Sequence, residues 1–201
     1  MTGKLPRTAW PEAYLQPDRQ KDCGYYAQAY LCRCLGHPDV TAEQVKAWRA
    51  ETSIHETRYA VNVLGAQYRG IAGLTEAERR TFWLGPGTGH WLAQQLADGW
   101  IAQVLLHRIW DMGHAAVLLG YDDSGVQLMD PIYGHITEPW GWFLGPGPRD
   151  GKPNWPGSAP DGREFYGCTF IEGWYRKRAS WRSCKHSASC VLPPSCAGWP
   201  A

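Results

Sequence analysis

Three short residue groups carry the chemistry of this chain. Asp22-Cys23-Gly24 stands at the head of one apolar run, Gly113-His114 opens another, and Asp130-Pro131 closes the segment after that. A thiol, an imidazole and a carboxylate in this order are the parts of an acyl-transfer site. Thiolate is the nucleophilic form of cysteine. Imidazole titrates near neutrality and can take and return the proton. A carboxylate bonded to the far side of the ring fixes its tautomer and stabilises its charge.

The elements around these residues are predicted to bring them together. Residues 23–35, CGYYAQAYLCRCL, read as a helix with Asp22 as N-cap and Gly36 and Pro38 at its end. Cys23 then occupies the first helical position, where free backbone N–H groups and the helix dipole favour a negative sulfur. Ala27, Tyr30, Leu31, Cys34 and Leu35 recur at helical spacing and form the face to be buried. Cys32 and Cys34, further along the same helix, read as small buried side chains. Gly24 is expected to leave room for a substrate backbone beside the sulfur, and Gly113 is expected to contact substrate as well.

Further helices are expected over 42–50, with Thr41 and Gln44 as a capping box, and over 54–65, 76–83 and 89–98, the last ending at Gly99. Beyond that the texture changes. Residues 100–106 and 115–121 are short apolar runs, Asp122 to Gly125 is a turn, and 126–129 returns as the second arm of a hairpin. His114 begins one arm and Asp130 ends the other, so the hairpin itself makes them neighbours. Residues 134–163 are dense in Gly and Pro, with a regular piece expected only near 135–138, and 164–175 are ordered again. Trp140, Trp142 and Phe143 are expected to wall the substrate pocket, shield the His114–Asp130 pair or cap the core, with Trp140 assigned to substrate. His107 is the nearest rival to His114, but its neighbours read as a loop. His90 lies near a helix start, which disfavours the charged ring. The fold class is α+β, with a helical layer first and an antiparallel sheet second.

Composition sets the outer limits. The chain has 201 residues and a formal charge of +1, which gives no global field for nucleic acid. One core is expected, not two domains. Seven cysteines cannot all pair within one chain, and a mostly reduced protein is expected. No apolar stretch is long enough to span a membrane, and no signal peptide is visible at the N-terminus. A soluble monomer is the expectation, cytoplasmic or exported without a cleaved signal. Residues 176–201 read as a basic, flexible tail. Its Cys184, His186, Cys190 and Cys196 lack the spacing of a structural zinc site, so no metal and no cofactor is expected. Gly85 to Gly89 is glycine-rich but no lysine follows, and phosphate binding is rejected.

Together these motifs resemble the papain-like cysteine peptidases, in the bacterial branch that includes double-glycine leader peptidases and papain-like effector proteases. The resemblance rests on Asp22-Cys23-Gly24, on Gly113-His114 with the apolar run to Gly120-Tyr121, and on Asp130-Pro131, and covers residues 14–175. It implies a two-lobed catalytic domain over 1–175, with a helical lobe over 14–99 and a sheet lobe over 100–175. It implies a protein or peptide substrate and hydrolysis through a thioester. It also implies a glutamine before the cysteine as an oxyanion donor. Gln16, seven residues before Cys23, is preferred to Gln20, three before. The same residues suit a deamidase, amidase or acyltransferase, and an inactive peptide-binding module of the same fold is a further alternative.

Overall fold

A computed structural model describes residues 10–17, 21–70, 87–108, 113–143, 148–149, 152–153 and 165–177. The helix expected over 76–83, Gln20 and the tail cysteines lie outside the described residues.

Helix α1 (Cys23–Cys34) ends where expected, with Leu35 as C-cap and Gly36 at φ +98°. That angle is in the left-handed region, which glycine enters without steric cost. Its apolar face is buried at Ala27, Tyr30, Leu31 and Leu35, whereas Cys34 is only partly covered. Helix α2 (Ala42–Thr52) begins at the Thr41–Gln44 capping box, both halves of which form, at 3.2 and 2.9 Å. The segment expected as one helix over 54–65 divides into a 3-10 turn (Glu56–Arg58) and a short helix α3 (Tyr59–Leu64).

Strand β1 (Gln67–Gly70) follows within the half read as purely helical, and then helix α4 (Gly87–Ala97). Strands β2 (Ile101–Arg108), β3 (His114–Asp122), β4 (Gly125–Asp130) and β5 (Gly134–Pro139) come next, and a four-residue helix α5 (Trp140–Phe143) follows directly. A two-residue pair, β6 (Pro148–Arg149) and β7 (Lys152–Pro153), precedes the long strand β8 (Phe165–Arg176). The main sheet has the order β1-β8-β2-β3-β4-β5 with every described pairing antiparallel. The protein is therefore α+β.

The helices do not form one layer. Ala115, Val117 and Leu119 of β3 pack with α1, α2 and α3, together with Met129 and Tyr175. Ala116 and Leu118, one step out of phase, pack with Leu92 and Leu96 of α4 and Phe143 of α5. Side chains alternate across a strand, so covering both faces demands an uninterrupted apolar run, which is what residues 115–119 supply. Each fully buried Leu or Val on such a strand contributes about 1.5–3 kcal/mol relative to exposure. The order helix layer, sheet, helix layer replaces the separate helical and sheet halves read from chain order. The physical reason is that α4 must bury Leu92 and Leu96 and finds the second face of the sheet open to it.

Residues 10–17 run alongside as an extended strap. The Tyr30 hydroxyl donates to the Pro11 carbonyl at 3.0 Å, and the Gln16 N–H donates to the Pro131 carbonyl at 2.8 Å. Tyr14 stacks with Tyr26 at 4.9 Å between centroids and lies under the Arg33 guanidinium.

Candidate active site

The hairpin β3–β4 brings His114 and Asp130 together. Val117 pairs with Met129, so Asp130 falls opposite Ala116, two residues from His114. His114 Nε2 and Asp130 Oδ2 are 3.0 Å apart, and both side chains are almost wholly buried. The other carboxylate oxygen is fixed as well. Asp130 Oδ1 accepts from the backbone N–H of Ile132 at 2.7 Å and of Tyr133 at 3.1 Å. The β4–β5 turn thus holds one oxygen, and the histidine takes the other.

Cys23 reaches this pair from α1, which packs on β3. Its thiol bonds to His114 and to the backbone at Ala115 and Gly24. Burial alone would push the thiol up. The hydrogen bond and charge of His114, with the two backbone groups, outweigh burial and lower it. For His114, burial acts to lower the imidazole, but bonds to Asp130 and Cys23 and both their charges raise it to about 9. Both shifts favour a thiolate–imidazolium pair. With Nε2 on the carboxylate, Nδ1 is the ring nitrogen left for the sulfur. Cys32 and Cys34 behave in the opposite way, each pushed up to about 12, chiefly by burial.

The start of α1 is also less conventional than expected. Asp22 makes no side-chain cap hydrogen bond. Its backbone has φ −104° and ψ 9°, not the extended form of a capping residue, and its carboxylate pairs with Lys46 at 2.9 Å. Only its carbonyl serves the helix, accepting from the N–H of Tyr25 and of Tyr26 at 2.9 and 3.2 Å. The Asp22 carboxylate therefore does not compete with the sulfur for the first turn of the helix.

Gly24 differs from expectation. A Cβ at this position would lie 2.7 Å from Glu56 Oε1, so the space read as room for a substrate backbone is filled by the Glu56 carboxylate. Gly113 is exposed, and a Cβ there would lie 2.7 Å from Leu105 Cδ2. Gln16 is buried and sits beside Pro131, the neighbour of Asp130. Trp140 is not at the site. Its indole N–H donates to the Asp122 carbonyl at 3.1 Å and its ring leans on Tyr121, at the far end of β3 from His114. The strand has nine residues, so those ends are eight rises apart, or roughly 26 Å. Strand β5 returns alongside β4 and pairs Pro139 with Gly125, which carries the next residue to the hairpin turn. Phe143 is in the core beneath α4, and the side chain of Trp142 lies outside the described residues.

Three buried polar residues lie outside the sequence motifs. Glu56 is buried and ion-paired with Arg49 at 2.8 Å. Gln103 and Gln28 are 0 % exposed. Each is a lone amide in an apolar run, IAQVLL and YYAQAYL, and that interruption was the legible signal. Among the described residues no group of three or more His, Cys, Asp and Glu is placed to hold a metal ion, and no helix is long and apolar enough to cross a membrane.

No family model, curated protein or solved structure matches the chain.

Proposed function

We propose that the protein is a papain-like cysteine peptidase, with Cys23 as nucleophile, His114 as acid and base, and Asp130 as the orienting carboxylate. The observation that carries this reading is His114 itself, a buried imidazole bonded to a carboxylate on one side and a thiol on the other. The two-lobed papain-like architecture is part of the proposal. Its support is that the thiol comes from a helix packed on the sheet while the base and carboxylate come from a sheet hairpin.

In the proposed reaction the Cys23 thiolate attacks the carbonyl carbon of a peptide bond. A C–S bond forms and the carbonyl π electrons move to oxygen. The Cys23 N–H and the Gln16 side-chain amide are assigned to that oxyanion. As the intermediate collapses the C–N bond breaks, and the proton on His114 Nδ1 goes to the departing amine. His114 then takes a proton from water as the hydroxide attacks the thioester. The C–S bond breaks, the acid product leaves, and the thiolate–imidazolium pair is restored.

The test is a mass-spectrometric comparison of a proteome exposed to the wild type and to Cys23→Ala. New peptide termini that require Cys23 are expected. A 1 Da gain on glutamine or asparagine in their place would make the enzyme a deamidase. Labelling of Cys23 that is indifferent to His114→Ala would remove the triad altogether.

A further inference from the structure

A second set of polar side chains reaches the nucleophile's helix through Glu56 and has no part in the steps above. Strand β8 is longer than its partner requires. Gln103 pairs with Gly173 and Val104 with Ile171, so Glu172 is an extra residue, a β-bulge. Bulges turn a side chain out of the regular alternation and are common next to active sites. Here the bulge places a carboxylate against β2, where Glu172 Oε2 accepts from Gln103 Nε2 at 2.8 Å. The Gln103 amide is completely buried, and its own oxygen takes no hydrogen bond among the described residues. Gln28, one turn along α1 from Gly24, is also completely buried, and its Oε1 likewise takes none. Glu56 joins this region to the nucleophile, because its Oε1 fills the space over Gly24.

The set holds more acceptors than donors, although Gln28 Nε2 is a buried donor that likewise takes no hydrogen bond among the described residues. Arg49 answers Glu56, and one amide hydrogen-bond pair answers Glu172. An orphaned buried acceptor costs about 1–3 kcal/mol, which a donor from outside would recover. Burial pushes the Glu172 carboxyl up, and the charge of Glu56 adds to that. Glu172 is partly exposed, and the exposed His55 is within electrostatic range of it, so the region opens outward at this end. We propose that Glu172, with the free oxygen of Gln103 and with Glu56 beside it, forms a subsite for a cationic substrate side chain, of lysine or arginine type, next to the bond attacked by Cys23. A guanidinium or ammonium supplies several N–H donors and a positive charge, which matches carboxylate and amide oxygens left without donors.

This assignment rests on the proposed function for its substrate, and its test does not use the reaction. In Cys23→Ala protein with 13C-labelled glutamate, the Glu172 carboxyl is titrated by NMR with N-acetyl-arginine amide and with N-acetyl-norleucine amide. The arginine compound is expected to bind at least about tenfold more tightly, as one charge-assisted hydrogen bond allows. It is also expected to lower the Glu172 titration midpoint. Glu172→Gln keeps an oxygen for Gln103 Nε2 and should erase the preference while the thermal melt is retained. Equal affinity for the two compounds, or a Glu172 resonance indifferent to both, overturns the subsite. Since Cys23 is absent from this protein, neither result depends on acyl transfer, which is judged separately by His114-dependent labelling of the wild type.

Discussion

Replacing Asp130 by asparagine should separate activity from stability. Oδ1 of Asp130 accepts two backbone N–H groups in the β4–β5 turn. An asparagine must keep its oxygen there, because a turned amide would set its NH2 against two donors. The NH2 therefore faces His114 Nε2 and demands that this nitrogen be the acceptor. The ring proton is then forced onto Nδ1, and the neutral ring cannot accept from Cys23. The lost bond to a charged partner is worth about 1.5–3 kcal/mol, or about one to two pKa units. The alkaline limb of kcat/KM, set by loss of the His114 imidazolium proton at about 9 in the wild type, should fall to about 7–8. A wrong imidazole tautomer in a hydrolytic triad costs on the order of 10⁴ in rate. The assay is the pH profile of iodoacetamide labelling at Cys23, read by mass spectrometry, together with kcat/KM on any substrate found. At about pH 10, where the wild-type ring is neutral too, the thermal melt should barely move for Asp130→Asn, whereas at neutral pH it should fall with the lost charged bond. Asp130→Ala leaves the Ile132 and Tyr133 N–H groups without their acceptor, at about 1–3 kcal/mol each, and should melt several degrees lower. An asparagine variant with wild-type labelling and an alkaline limb still at about 9 would refute the reasoning.

Other expectations follow from the same contacts. His114→Ala removes the two largest contributions that lower the Cys23 thiol and leaves burial opposed only by the backbone bonds at Ala115 and Gly24, so the acid limb of labelling should move up. Cys32 and Cys34, each at about 12, should resist alkylation at pH 8 in the folded protein and react once it is denatured, as peptide mapping would reveal. Gly24→Ala sets a Cβ 2.7 Å from Glu56 Oε1 and should cost about 1–3 kcal/mol in chemical denaturation, part of it recovered in the double variant with Glu56→Ala. Gln16→Ala should lower kcat by about 10²-fold or more and leave iodoacetamide labelling little changed, since alkylation forms no oxyanion.

The parts of the fold that could be read from sequence are those fixed by local chemistry. Thr41 with Gln44 announces the start of α2, Gly36 the end of α1, and Asp122 to Gly125 the hairpin turn, because each acts within a few residues. The proximity of His114 and Asp130 follows from that same hairpin. The features that escaped depend on partners far along the chain. Strand β1 is only four residues long and exists because β8, about a hundred residues later, pairs with it. Trp140 leaves the site because the register of β5 on β4 carries it away. Asp22 forgoes its capping role in favour of Lys46, which no local pattern announces. Glu172 is aimed by a bulge, and an extra residue in a strand is visible only once its partner is aligned.

The division of the site between α1 and the β3–β4 hairpin has a consequence for how its folding can be watched. The acidity of Cys23 belongs to neither element alone, since it arises when the helix seats its first turn against the start of β3. Any excursion that lifts α1 from the sheet returns the sulfur to an ordinary thiol, slow to react at mildly acidic pH. The rate of its alkylation below the ordinary thiol range therefore reports the population of the docked helix, residue-specifically and without an added dye. Against amide exchange in β3, that one rate would tell whether the helix and the strand separate before the whole protein unfolds or only with it.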